Sequence, residues 1–300
     1  MDLFQSLALF QRVAKTGSFT RAADALGMAT SSVSAAVQKL EQHLGVPLFQ
    51  RTTRSVRLSS EGEQLYERAS RLLADAAETE SLFRGGRSPG GQLRVEVPAR
   101  MGRTLIVPAL PGFLARYPQA SIELGSTDRR ANLVDEGIDC VLRVGETGEL
   151  DLVERPLGRL PQTTCASPAL VAAHGMPSTL DELARMPVVH FGRVAIGKGE
   201  DWEYLRDGHV RTLRMWGNVS VTSAETYIAC CLAGLGLIQV PRYDVAGLLQ
   251  GGELVEIVVP GCAPPSLPIA VLYPPQRRLS RLLHVYIDWL EELLAPYVVR

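Results

Sequence analysis

Three consecutive hydroxyl residues, Thr30-Ser31-Ser32, stand immediately before an apolar series at helical spacing: Val33, Val37, Leu40 and Leu44. A helix that opens on hydroxyls and unpaired backbone N–H groups can enter a major groove by its N-terminus and hydrogen-bond there. A second cluster follows in Arg51-Thr52-Thr53-Arg54-Ser55-Val56-Arg57, where cations alternate with short polar residues. Arg51, Arg54 and Arg57, with Thr53 between them, suit contact with phosphates or insertion into a minor groove. The chemistry is hydrogen bonding and charge neutralisation, and no bond need be made or broken.

The flanking residues read as the scaffold that positions these groups. Leu7, Phe10, Val13 and Ala14 recur at helical spacing from about Leu3 to Thr16. Ser18 can cap a second helix carrying Phe19, Ala22, Ala23 and Leu26, and Gly27 supplies the left-handed turn that reverses the chain. The small Ala22 and Ala23 permit the close approach of two steeply crossed helices joined by a short turn. Gly45 and Pro47 end the helix that Thr30 opens, Leu48-Phe49 returns to the core, and the arginine cluster forms a two-stranded wing.

Charge is distributed as this reading requires. Residues 1–59 hold seven basic side chains against three acidic ones, a net of +4. The remaining residues hold 24 basic and 29 acidic side chains, a net of −5. A basic head on an acidic body is the asymmetry expected of a tethered nucleic-acid-binding module, although the whole chain is near neutrality. The 300 residues predict about two domains, and 46% apolar content supports a sizeable core. Met1 to Phe10 has no basic export signal and no apolar run is long enough to span a bilayer, so we expect a cytoplasmic protein with no membrane contact.

After the wing, Ser60 or Ser59 can cap a long helix from Glu61 to about Phe83. Leu65, Ala69, Leu72, Ala76 and Phe83 recur in steps of three and four, with Thr79 in the one gap, which is the seam of a coiled coil. The other reading is an amphipathic helix docked on its own domain. Gly85 to Gly91 then reads as a flexible hinge.

The body alternates strands and helices. Strands are expected at Leu93–Val97, Ser121–Leu124 and Cys140–Val144, with helices at Leu105–Arg116 and Asn132–Glu136, an order that predicts a mostly parallel sheet. From Gln162 the pattern restarts: strands near 163–166, 188–191, 211–215, 218–221 and 237–240, and helices near 168–174 and 224–233. A strand at Ile269–Tyr273 and a helix at Arg278–Leu294 return to the first half, giving two α/β lobes around a cleft.

Several residues that look catalytic carry little weight. Gly86-Arg87-Ser88-Pro89-Gly90 spells the GxSxG of a hydrolase elbow but lacks the preceding hydrophobic strand and following helix. Gly234-Leu235-Gly236 lacks the third glycine of a dinucleotide loop. Five scattered histidines show no metal spacing, so neither a metal nor a cofactor is expected. Five cysteines form no CxxC pair; Cys230 and Cys231 read as buried apolar residues, and Trp202, Trp216 and Trp289 as packing residues.

Helix-turn-helix, wing, linker helix and two-lobed body, in that order, resemble the LysR-type transcriptional regulators over essentially the whole chain. The motifs are Gly17-Ser18-Phe19-Thr20-Arg21-Ala22-Ala23, Val33-Ser34, Leu40-Glu41, Leu44-Gly45-Val46-Pro47-Leu48-Phe49 and Arg51-Thr52-Thr53-Arg54. Ser59-Ser60-Glu61-Gly62 stands where the family usually has Thr-x-x-Gly, and Gly234-Leu235-Gly236-Leu237 with Pro241 resembles its second-lobe turn. The resemblance implies a winged helix-turn-helix over 1–59 and a linker (dimerisation) helix with hinge over 60–91. It further implies a periplasmic-binding-protein-like effector domain over 92–300, with lobe I at about 92–161 and 269–300 and lobe II at about 162–268.

The same resemblance implies that Thr30, Ser31 and Ser34 contact bases and phosphates, and that Arg54 is the wing arginine. Ala35-Ala36 departs from the arginine that many members carry there, so operator preference does not transfer. The effector pocket would be walled by Pro98, Ala99, Arg100, Ser126, Thr127 and Arg143, with Ser167, Phe191 and Thr222 from the other lobe. Strand ends and helix N-termini there favour an anion, and Arg100, Arg103, Arg143 and Arg193 could pair with an organic carboxylate or phosphate. Expected partners are double-stranded promoter DNA, a small-molecule effector, a second copy joined through 60–83, and a homotetramer, with RNA polymerase as a further candidate. A solute-binding protein, an enzyme fused to a DNA-binding head, and a regulator that needs no ligand remain the alternatives.

Overall fold

The computed structural model describes residues 2–51, 56–83, 89–129, 133–148, 151–192, 200–275 and 280–299. The chain divides into two compact units, 1–91 and 92–300.

In the first unit, α1 (Leu3–Thr16), α2 (Phe19–Leu26) and α3 (Thr30–Leu44) precede a two-stranded wing and α4 (Ser60–Phe83). Asp2 and Ser18 cap the first two helices, accepting the N–H groups of Gln5 and Arg21, each at 3.3 Å. Each of the first three helices stops on a glycine in the left-handed region: Gly17, Gly27 and Gly45. Phe10, Val13, Ala22, Ala23, Val33, Val37 and Leu40 are fully buried where the helices meet. Phe49 seals this core, its ring centroid 5.3 Å from Phe10 and 5.6 Å from Phe19. The wing strands β1 (Phe49–Arg51) and β2 (Val56–Leu58) pair antiparallel, with Gln50 opposite Arg57.

Helix α4 corrects part of the expected coiled-coil seam. Ala69 is fully buried in the head core, and Leu65, Tyr66 and Leu73 pack against it. The Gln11 amide also donates to Ser70 Oγ at 2.9 Å. The first turns of α4 therefore dock on their own domain, because α1 offers them an apolar face. Leu72, by contrast, is 49% exposed.

The second unit is built on a five-stranded sheet of order β4-β3-β5-β14-β6. These strands are β3 (Gly91–Val97), β4 (Ala120–Ser126), β5 (Cys140–Val144), β6 (Val153–Leu160) and β14 (Leu267–Tyr273). The sheet is mixed and not mostly parallel: β3 runs parallel to β5, while β14 is antiparallel to both β5 and β6. The chain comes back from its second half straight into β14, so no crossover helix forces that strand to be parallel. Strand β6 was not expected, since Pro156 and Gly158 argue against a strand. It survives at an edge of the sheet, with a register shift opposite Ile269 and Ala270 that leaves Leu157 out of the pairing. Its Arg159 exchanges backbone hydrogen bonds with Val299, each at 2.8 Å.

The helix after β3 begins earlier than expected, as α5 (Ala99–Met101), a π-helical turn (102–106) and α6 (Val107–Arg116). Short α7 (Leu133–Glu136) lies between β4 and β5, and α12 (Arg281–Leu294) buries Leu283, Tyr286, Ile287 and Leu290 against the sheet.

The second half has separate cores. Strands β7 (Gln162–Ala166), β12 (Ile238–Pro241) and β13 (Val255–Glu256) form one antiparallel sheet, and β8 (Val189–Phe191) pairs in parallel with β11 (Val219–Val221). Strands β9 (Glu200–Arg206) and β10 (His209–Met215) form a hairpin. Helices α8 (Pro168–His174), α9 (Leu180–Ala184), α10 (Ala224–Leu232) and α11 (Arg242–Gln250) surround these sheets. Of these elements, α9, α11, β9 and β13 were not foreseen. Among the described residues, no helix is long and apolar enough to cross a membrane.

Candidate nucleic-acid interface and ligand cleft

Ala29 stands at the cap position of α3, and no side chain caps this helix. The Ser32 N–H bonds the Ala29 carbonyl at 3.0 Å, which leaves those of Thr30 and Ser31 for an external acceptor. Thr30, Ser31 and Ser32 are exposed and Ser34 is half-buried, because Val33, Val37 and Leu40 turn the opposite face of α3 into the core. Arg57 is exposed on β2, and Arg51 lies across the hairpin on β1. Thr53 and Arg54 lie outside the described residues.

Two polar residues tie these pieces together. Glu41, on α3, accepts the backbone N–H of Leu48 at 2.8 Å and of Phe49 at 3.3 Å, so the helix and the first wing strand share a carboxylate. Ser59, and not Ser60, caps α4: its Oγ accepts the Gly62 N–H at 2.9 Å and donates to the Pro47 carbonyl at 2.6 Å.

The second unit contains a cleft of about 330 Å³ between its two halves. Five of the nine expected pocket residues line it: Pro98, Arg100, Thr127, Arg143 and Phe191. The other four are placed elsewhere. The Ala99 N–H donates to Asp128 Oδ1 at 3.1 Å, and Ser126 packs over Gly102, where a Cβ would come within 3.0 Å of its hydroxyl. Ser167 is buried as the cap of α8, accepting the Leu170 N–H at 3.2 Å, and Thr222 is exposed between β11 and α10.

Asp128, Tyr227, Gln239, Tyr243 and Asp244 also line the cleft and were missed. Tyr243 and Asp244 were missed because α11 was, although a strand ending at Pro241 before a run of helix formers is a recognisable signal. Phe191 and Tyr227 meet at 5.3 Å between ring centroids and form an aromatic wall.

The arginines assigned to an anion already have partners within the chain. Arg100 donates from Nε to Asp244 Oδ1 at 3.0 Å and from Nη1 to Glu225 Oε2 at 2.7 Å, and it also bonds the Asp244 carbonyl. Arg103, at the rim, donates to Glu225 Oε1 at 2.8 Å. Arg143 donates to the Arg129 carbonyl at 2.8 Å, and its charge acts on Glu96. Arg193 lies outside the described residues.

Asp128 reaches both halves, since its Oδ2 accepts the Ala224 N–H at the start of α10 at 2.8 Å. Burial pushes the Asp244 carboxyl up to about 7 against the opposing charge and hydrogen bond of Arg100. Burial also raises Glu225, but Arg103 and Arg100 outweigh it and hold that carboxyl below the usual range.

The remaining signals are structural. Cys231 is fully buried and its thiol donates to the Cys165 carbonyl at 3.5 Å. The hydrogen bond to Cys231 and burial both push the Cys165 thiol far up, which leaves it unreactive. Trp202 is buried and Trp289 packs against Phe113 with the rings tilted, whereas Trp216 is exposed. In the GxSxG string, residues 86–88 lie outside the described residues. Among the described residues, no group of three or more His, Cys, Asp or Glu could hold a metal ion.

Comparison with known proteins agrees with this architecture. Residues 4–63 match the family model of the bacterial regulatory helix-turn-helix protein, lysR family, and residues 86–295 match the LysR substrate binding domain. The HTH-type transcriptional regulator YhjC of Escherichia coli is 37% identical over 303 residues, covering 99% of this chain and 100% of the relative. An HTH-type transcriptional repressor of Pseudomonas aeruginosa is 35% identical, covering 98% of this chain and 93% of the relative. The solved structure of CrgA, a LysR-type regulator from Neisseria meningitidis, matches at 30% identity and a TM-score of 0.59, covering 96% of this chain and 97% of that one. The chain belongs to the LysR-type transcriptional regulators, a non-enzymatic family that joins a helix-turn-helix DNA-binding domain to an effector-binding domain.

Proposed function

We propose that the head reads promoter DNA through Thr30, Ser31, Ser32 and Ser34, while Arg51, Thr53, Arg54 and Arg57 set its register on the phosphates. The observation that carries this reading is the exposed hydroxyl cluster on the uncapped first turn of α3, beside a hairpin that exposes Arg57. Residues 1–59 then act as the DNA-binding domain, 60–91 as dimerisation helix and hinge, and 92–300 as the effector domain. The strand groupings support lobes near 92–161 with 269–300 and near 162–268. Two heads pair through 60–83, pairs assemble into a tetramer that acts in the cytoplasm, and RNA polymerase is the partner downstream.

The effector enters the cleft lined by Pro98, Arg100, Thr127, Arg143 and Phe191. Its binding changes the angle between the lobes and so the spacing of paired heads, a coupling free energy between two sites.

Fluorescence anisotropy on a duplex from upstream of the protein's own gene, titrated with salt, tests the head. Arg54→Ala should shrink the salt slope by about one unit, and Thr30→Ala should remove discrimination against random duplex. Equal binding to both duplexes, unchanged by either substitution, refutes the assignment.

A further inference from the structure

The arginines beside the cleft already have acceptors within the chain. Arg100 pairs with Asp244 and Glu225, Arg103 pairs with Glu225, and Arg143 bonds the Arg129 carbonyl while its charge acts on Glu96; among the carboxylates beside them is Asp128. Asp128 is the telling one. Its two oxygens take the N–H of Ala99, which opens α5 after β3, and the N–H of Ala224, which opens α10 from the other half. Strand ends and helix starts that converge on a crevice form the place where a ligand carboxylate would be received. Here a side chain of the protein occupies it.

A second carboxylate brought against Asp128 would be repelled across a few ångströms of partly buried space. It would also lose its hydration, and the donors of Arg100 would reach it only by leaving Asp244 and Glu225. What the cleft does offer is apolar. Phe191, 45% exposed, presents its ring beside Tyr227, and Met101, Leu142, Val144 and Leu267 contribute to the lining. A volume of about 330 Å³ lies at the low end for small-molecule sites and suits a single substituted ring.

Building on the reading of this cleft as the effector site, we infer that it takes an uncharged, ring-sized molecule against Phe191, and that Asp128 sets this preference by occupying the seat of a ligand carboxylate. Asp128 is thus a specificity-determining residue that also joins the two halves.

Benzamide and benzoate test this, because they share size and shape and differ in charge. Each is titrated into the full chain by calorimetry at neutral pH. Benzamide should bind at least about tenfold more tightly than benzoate, the effect of one added like charge at close range. Phe191→Ala should weaken benzamide. Asp128→Gly, which empties the seat, should bring the ratio to one or invert it. Asp128→Asn keeps the shape and one acceptor oxygen, and it carries the same test if the glycine variant melts below the assay temperature.

Tighter benzoate binding to the unaltered chain, no binding of either probe, or a ratio unmoved by both Asp128 variants would each overturn the inference. Anisotropy on the upstream duplex in the same preparation separates the outcomes. Intact DNA binding with failed probes removes the ligand class alone, and failure of both removes the proposed DNA contacts as well.

Discussion

A Cβ placed on Gly62 would lie 2.0 Å from the carbonyl oxygen of Leu48. That approach joins the first turn of α4 to the residue that leads into the wing, and the Ser59 cap holds the turn in place from the other side. Backbone cannot retreat as a flexible side chain would, so Gly62→Ala must push α4 off the head. We expect a loss of about 1–3 kcal/mol. Thermal unfolding followed by circular dichroism should show the head melting earlier, and an unchanged melt would refute the contact.

Glu41 and Arg57 separate positioning from contact. Glu41→Ala leaves two wing N–H groups without their carboxylate and loosens β1 from the recognition helix. DNA affinity should fall about tenfold with an unaltered salt slope. Arg57→Ala should lower affinity too, but with a slope reduced by about one unit, since one phosphate contact is lost. Identical salt behaviour in the two variants would contradict this division.

On α4, Ala69 and Leu72 face different fates. Ala69 is buried in the head and Leu72 is exposed, so a charge at each should act differently. Leu72→Glu should weaken self-association about ten- to a hundredfold, as loss of one buried leucine in an interface implies, without lowering the head's melting temperature. Ala69→Glu should unfold the head. Sedimentation velocity with parallel melts checks both, and a Leu72→Glu protein that associates normally would move the interface off this helix.

Asp244 should make the effector domain's stability depend on pH. Its folded pKa of about 7 lies above the ordinary aspartate value of 3.8, so between those values the folded protein retains a proton that the unfolded chain has released. Its contribution is therefore greatest below about pH 4, declines as pH rises toward 7, and is level above that. Asp244→Asn should flatten the melting-temperature profile between pH 5 and 7, at about 2–4 °C for each kcal/mol involved. A variant with the same slope as the unaltered protein would assign that slope to other groups.

The head was legible because its signals are local. Ser18, Gly17, Gly27 and Gly45 cap or close helices through their own backbone geometry, and Val33, Val37 and Leu40 mark the buried face of α3 by spacing alone. The hairpin of β9 and β10 was just as local and was still overlooked. Asp207-Gly208 has positive φ at both positions, 52° and 75°, which is the Asp-Gly turn favoured between twisted strands.

Other features depended on residues far apart in the chain. Pro156 and Gly158 argue against a strand until β14 and the Val299 segment pair with that edge. Ala69 reads as a dimer seam until α1 covers it.

The sequence by itself determined the order of the head's elements, its basic charge and the family to which the chain belongs, since these rest on periodicity, caps and contiguous motifs. Tertiary structure decided how the charged groups beside the cleft are engaged. Arg100 finds Asp244 and Glu225 across 144 and 125 residues, and Asp128 finds Ala224 across 96. Pairing over such separations is fixed by the folded path of the backbone, and it supplied acceptors within the chain itself to arginines that pointed to an anion.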